Sequence, residues 1–112
     1  MMIEKTILNY LSECISVPCY MEMPEELPPA FLVIEKTGSS VTNRITKATF
    51  AIQSYAQTLY EAACLNEQVK EAMDAIIELD SISKCELNSD YNYTDTALKA
   101  YRYQAVFVIT HY

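Results

Sequence analysis

The run Tyr101-Arg102-Tyr103-Gln104-Ala105-Val106-Phe107-Val108-Ile109-Thr110 decides the fold. In an extended chain Tyr101, Tyr103, Ala105, Phe107 and Ile109 share one face, and Arg102, Gln104, Val106, Val108 and Thr110 share the other. A strand with one face in water alternates apolar and polar, whereas a strand covered on both faces is apolar throughout. This one opens as the first kind and ends as the second. Its far end needs a second cover, and a chain of 112 residues has few elements to supply one. The expected source is another subunit.

Working back from that strand, Ile82 to Asn92 reads as its antiparallel neighbour, with a polar turn at Thr94 to Leu98 between them. The closing strand then runs on to Tyr112. Upstream, Thr58 and Glu61 have capping-box spacing, which satisfies free amides at a helix start. Leu59, Ala62, Ala63, Asn66, Val69, Met73, Ile76 and Ile77 follow as a stripe for the core. Glu61, Glu67, Lys70, Glu71, Asp74 and Glu78 fall opposite, and Asp80 and Ser81 close the helix.

The first half supplies the rest. Ile3, Ile7, Leu8, Leu11, Cys14 and Ile15 predict a helix over residues 3–15, ended by the effect of Pro18 on Val17. Val17 to Met21 reads as a short edge strand, because Pro18 cannot donate to a ladder. Met23 to Pro29 is a proline-rich loop. Ala30 to Lys36 is a strand with an apolar centre, and Thr37-Gly38-Ser39-Ser40 is expected to break it. Residues 41–45 read as an exposed loop, longer than a tight hairpin needs. Lys47 to Tyr55 is the next strand, with Phe50 and Ile52 on one face and Thr49, Gln53 and Tyr55 on the other. The sum is one domain, residues 1–112, of α+β class: a mainly antiparallel sheet, order α-β-β-β-α-β-β, with an N-terminal helix and one longer helix packed on one face. A lone main helix leaves the other sheet face partly uncovered, yet Leu32, Ile34, Val106 and Val108 put apolar groups on both faces of their strands.

Composition narrows the function. Net charge is −7, with 15 acids against 8 bases, and no basic cluster appears. Phosphate backbones are gripped by Lys and Arg in number, so nucleic-acid binding is disfavoured. No apolar run approaches the roughly 20 residues needed to cross a bilayer, and no signal-peptide pattern opens the chain. A cytoplasmic site of synthesis is expected. Cys14, Cys19, Cys64 and Cys85 lack the short paired spacing of zinc sites and read as small buried hydrophobes.

Chemistry is thin. His111 is the only histidine and stands at the chain end. No Walker loop, nucleophile elbow or zinc-protease motif is present, and Gly38 is the only glycine, so no glycine-rich phosphate cradle can form. Asp90, Asp95 and Glu86 could meet across the last hairpin as a cation site, or simply keep a loop solvated. A PxxP reading of Pro24 and Pro28 lacks an arginine anchor. Tyrosine is the unusual residue: nine are present, four of them in the last two strands. Tyrosine packs hairpins and also interfaces, since it buries area while keeping a polar tip.

The strings LPPAFLVIEKTGSS, ATFAIQSYAQTLYEAACLNEQVKEAM and AYRYQAVFVIT, in this order behind an N-terminal helix, give the chain a family likeness. It resembles the tail-terminator, or tail-completion (head–tail joining), proteins of long-tailed bacteriophages, the class that includes the minor tail protein U of phage lambda. The resemblance spans almost the whole chain. It implies a virion protein with no catalysis and no cofactor, forming a ring, usually a hexamer. Its implied partners are itself, the tail-tube protein and a head-completion or connector protein. DNA would pass through without specific binding, and no membrane is involved. The implied location is the virion tail, and the host cytoplasm during assembly. Another phage connector or head-closure protein, or an unrelated small α+β binding module, fits the same class of fold. The residues expected at the subunit interface are Leu32, Ile34, Arg44, Lys47, Arg102, Val106 and Val108. Arg102 is expected to pair with a carboxylate, within the chain or across a subunit boundary. The loop from Thr37 to Ile45 is expected to project and to order against a neighbour or the tail tube, with an adjacent subunit's acidic helix, Glu67 to Glu78, as complementary charge for Arg44 and Lys47.

Overall fold

The structure, a computed structural model, describes residues 2–95 and 100–112. Helix α1 spans Ile3–Cys14, strand β1 Cys19–Tyr20, β2 Phe31–Thr42, β3 Ile45–Ala56, helix α2 Leu59–Asp74, β4 Ile82–Asn92 and β5 Tyr101–His111. A single 3-10 turn, Ile76–Glu78, follows α2. The five strands make one sheet in the order β1-β2-β3-β5-β4. Only the β1–β2 pair is parallel. The architecture is the expected α+β fold.

One face of the sheet carries the helices. Ile3, Ile7 and Leu11 of α1 and Leu65, Val69 and Met73 of α2 pack with Leu32, Ile34, Phe50, Ile52, Phe107 and Ile109 of the strands. The Thr58 hydroxyl accepts from the Glu61 amide at 3.1 Å, so α2 starts where the capping box placed it. The buried stripe of α2 is Ala62, Leu65, Asn66, Val69 and Met73. Leu59 and Ile77, expected within it, are exposed, and Leu65 takes the inward place. The helix ends at Asp74, well before Asp80, and the tighter turn rotates Ile76 inward and Ile77 outward. The Tyr10 hydroxyl donates to the Ala72 carbonyl at 2.6 Å and ties the two helices together. Burial pushes the Tyr10 phenol up to about 12.

Two corrections change the outline. Leu32 and Ile34 are fully buried beneath the helices, so they cannot lie on an uncovered face. Their neighbours Phe31 and Val33 occupy the opposite face and are buried there by Tyr55 and Tyr20 of the same chain. The second cover of β2 is thus internal. The expected loop at residues 37–45 is instead the end of a long hairpin: β2 and β3 stay paired to Thr42 and Ile45. Asn43 (φ 52°) and Arg44 (φ 66°) form the two-residue turn, with left-handed backbone at both positions as tight hairpin turns require. A bulge between Lys36 and Gly38 absorbs the irregularity that reads in sequence as a break. The expected turn at Thr94 to Leu98 falls for the most part outside the described residues.

Candidate functional site

The helix-free sheet face follows from strand register. Paired residues share a face and successive pairs alternate. Phe31, Tyr55 and Arg102 form one row, and Val33, Gln53, Gln104 and Tyr91 the next. Val106 and Val108 occupy the rows beyond, beside Ala51 and Thr49. They are half-buried, as a strand with a wet second face requires.

A hydrogen-bonded belt crosses these rows. Arg102 Nη1 donates to the Tyr55 hydroxyl at 2.6 Å, and Tyr55 donates to Gln53 Oε1 at 3.1 Å. Gln53 Nε2 donates to Gln104 Oε1 at 2.9 Å, and Gln104 Nε2 donates to the Tyr91 hydroxyl. Each amide uses one donor and one acceptor along the face, so the nearly buried Gln104 is satisfied. Arg102 Nε donates to the Tyr93 carbonyl at 2.7 Å, and the guanidinium carbon stands 4.3 Å from the Tyr93 ring centroid. Arg102 is therefore held by tyrosines. The carboxylate partner expected within the chain is not what binds it among the described residues. A planar fork that also stacks on a ring suits this site, and lysine would not reproduce it.

At one end of the face the rings of Phe31 and Tyr55 stack with centroids 4.6 Å apart, and Tyr20 meets Phe31 edge-on at 6.0 Å. Beside them the proline-rich loop walls a cleft of about 610 Å³ that includes Met23, Leu27, Pro28, Phe31, Tyr55 and Tyr101. At the opposite end the β2–β3 hairpin forms an arm, with Val41 and Ile45 exposed near its tip.

The two sheet edges differ. On β4, bulges between Ile82 and Lys84 and between Leu87 and Ser89 interrupt the edge, and Lys84, Glu86 and Asp90 charge it. Such devices discourage strand addition. β2 meets β1 only at Leu32 and Val33, and its stretch Thr37–Asn43 carries no charge.

Of the residues expected at an interface, Arg44 sits at the arm tip and Lys47 is exposed on the arm. Arg102, Val106 and Val108 lie on the helix-free face, and Leu32 and Ile34 do not. Asp90 and Glu86 point to opposite faces, so they share no cation site. Asp90 accepts from Asn66 Nδ2 and Lys70 Nζ, both at 2.6 Å, and Glu86 lies 3.3 Å from Lys84 Nζ. Cys14 and Cys64 are exposed and Cys19 and Cys85 half-buried, which corrects the reading of four buried thiols. Burial pushes the Cys85 thiol up to about 11, far from the thiolate form that attacks or ligates. Sequence reasoning missed the belt, although Gln53 after Ile52 and Gln104 before Ala105, amides set inside largely apolar strands, are its signal. No helix among the described residues is long and apolar enough to cross a membrane. No protein-family model matches the chain, and no curated protein sequence matches it.

Proposed function

We propose that the chain is a structural subunit of a long-tailed phage or prophage virion, forming a ring that ends the tail tube and joins it to the head. The observation that carries this reading is the division of the sheet. One face is sealed by the chain's own helices, and the other is a helix-free surface of tyrosine, glutamine and valine with an arm extending from it. This is a surface for assembly, and its tyrosine content suits an interface. The order of strings in the sequence, with its likeness to tail-terminator proteins, supplies the identity of the assembly. Net charge −7 suits a ring that lets DNA pass without holding it. The role is architectural, with no reaction and no cofactor.

The test is to add the purified protein to tubes growing from a tail-tube protein. Tubes should stop elongating at substoichiometric amounts and carry one ring at an end, with a native mass of about six copies. Unaltered tube growth at excess protein, together with no ring on any tube, would sink the proposal.

A further inference from the structure

We infer that the arm tip of one copy inserts into the proline-walled cleft of the next, so that copies join head to tail. The contact rests on the ring reading above and specifies how its subunits meet. Tip and cleft lie at opposite ends of β2, whose 12 residues span roughly 36 Å at about 3.3 Å per step. The longest dimension of the molecule is 44 Å. A contact between unlike ends is heterologous, and it closes a ring when its rotation divides a full turn.

The chemistry of the two ends is complementary. Val41 pairs with Thr46 and Thr42 with Ile45, so Val41 and Ile45 stand on opposite faces of the tip. A tip apolar on both sides is suited to entering a cleft rather than lying on a flat surface. Met23 and Leu27 at the cleft are about half exposed or more, with relative exposures of 50% and 62%. Methionine gives the wall an adaptable apolar surface, and proline holds its backbone. Charge agrees. Arg44 and Lys47 make the arm basic, whereas the cleft loop carries Glu22, Glu25 and Glu26 and no base. The basic tip also has a backbone cost. Arg44 holds φ 66°, where hairpin turns favour glycine. A residue kept in an unfavoured conformation points to a role at that spot.

The destination expected from the sequence, the acidic side of α2, has its own groove, which includes Glu71, Met73, Asp74, Cys85, Leu87 and Phe107. It is about half the size, 320 Å³ against 610 Å³, and Lys70 also lines it. The cleft is the roomier and, by its lining residues, the more apolar receptor for a tip that carries Val41 and Ile45, and the carboxylates of Glu22, Glu25 and Glu26 stand in the loop that walls it.

Photocrosslinking tests the contact in the full chain. Benzoylphenylalanine at position 45, in a mixture of isotope-labelled and unlabelled protein assembled on tubes, should link to residues 21–30 or 55–57 of a different copy. Assembly with links only to α2 or β4 would overturn the tip-to-cleft contact and leave the ring reading standing. Absence of any assembly would overturn both. A charge exchange adds a second arm. Lys47→Glu and Glu26→Lys should each raise the concentration needed for assembly by up to about fivefold, and the double variant should recover most of the loss. Equal, additive losses in the double variant would count against the pairing.

Discussion

The two faces of the sheet exclude water by different means. Beneath the helices, Phe50, Ile52, Phe107 and Ile109 belong to one apolar cluster and are fully buried or nearly so. On the other face, Tyr55 and Gln104 are buried almost as well, yet they are held by hydrogen bonds running from Arg102 to Tyr91. Apolar burial is non-directional and tolerates repacking. A polar belt tolerates little, because each member depends on its neighbours. The helix face therefore supplies most of the stability, and the belt fixes the shape of the face offered for assembly. Phe50→Ala tests the first half of this contrast. It should cost about 3–5 kcal/mol in urea unfolding. Val108→Ala, on the half-buried open face, should cost less than about 1.5 kcal/mol. Equal costs would mean that the two faces do not differ in this way.

The second test is made within the belt. Gln104→Leu keeps the size of the side chain but takes the acceptor from Gln53 Nε2 and the donor from the Tyr91 hydroxyl. A cost of about 1–3 kcal/mol is expected. Replacing both glutamines by leucine should recover much of that loss, since removing both partners can be nearly neutral. A double variant as unstable as the sum of the singles would show that the amides contribute through packing and not through their mutual bond. Chemical unfolding of the four proteins closes the cycle.

The helix face was legible in the sequence because periodicity carries it. The stripe of α1, the cap of α2 and the bounds of β4 come from spacings of two, three and four residues. The arm was not legible. Gly38, Ser39 and Ser40 are weak strand formers, and nothing local reveals that Lys47 to Thr49 wait opposite them to extend the ladder. Tertiary pairing overrides propensity there. Leu32 and Ile34 were placed on the wrong face for a related reason. A strand apolar on both sides does not say which residues meet helices and which meet Tyr20 and Tyr55. Val106 and Val108 fall on the open face because the two-residue period of β5 keeps them in line with Arg102 and Gln104, even where both faces turn apolar. The belt depends on register between β3 and β5, information that lies 51 residues apart in the Gln53–Gln104 bond.

The arm offers a smaller effect of opposite sign. Arg44→Gly relieves the left-handed backbone and should raise stability by about 1 kcal/mol. The same change removes the charge at the tip, so it should weaken assembly while strengthening the fold. Stability and assembly moving in the same direction would contradict the assignment of Arg44 to contact between copies.

The smallest expected effect separates the faces by acid. Lys36 Nζ lies 3.3 Å from Glu4 Oε2 and clips α1 to β2 on the helix side. Hydrogen bonding to its own backbone amide, and then Lys36, hold the Glu4 carboxyl below its ordinary value of 4.5. A carboxyl lowered on folding contributes stability above its unfolded pKa and loses it as pH falls through the folded value. The Glu4 contribution is therefore complete at neutral pH, begins to fall near its ordinary value of 4.5 and is lost as pH drops through the lower folded value. Lys36→Met should cost about 0–1 kcal/mol at pH 7, because the pair is partly exposed. The gap from the parent should close as Glu4 protonates. The belt contains amides, phenols and a guanidinium and no carboxylate, so the loss from Gln104→Leu should be the same at pH 7 and pH 4. If acid instead closed the Gln104→Leu gap and left the Lys36→Met gap open, the division of labour between the two faces would be reversed.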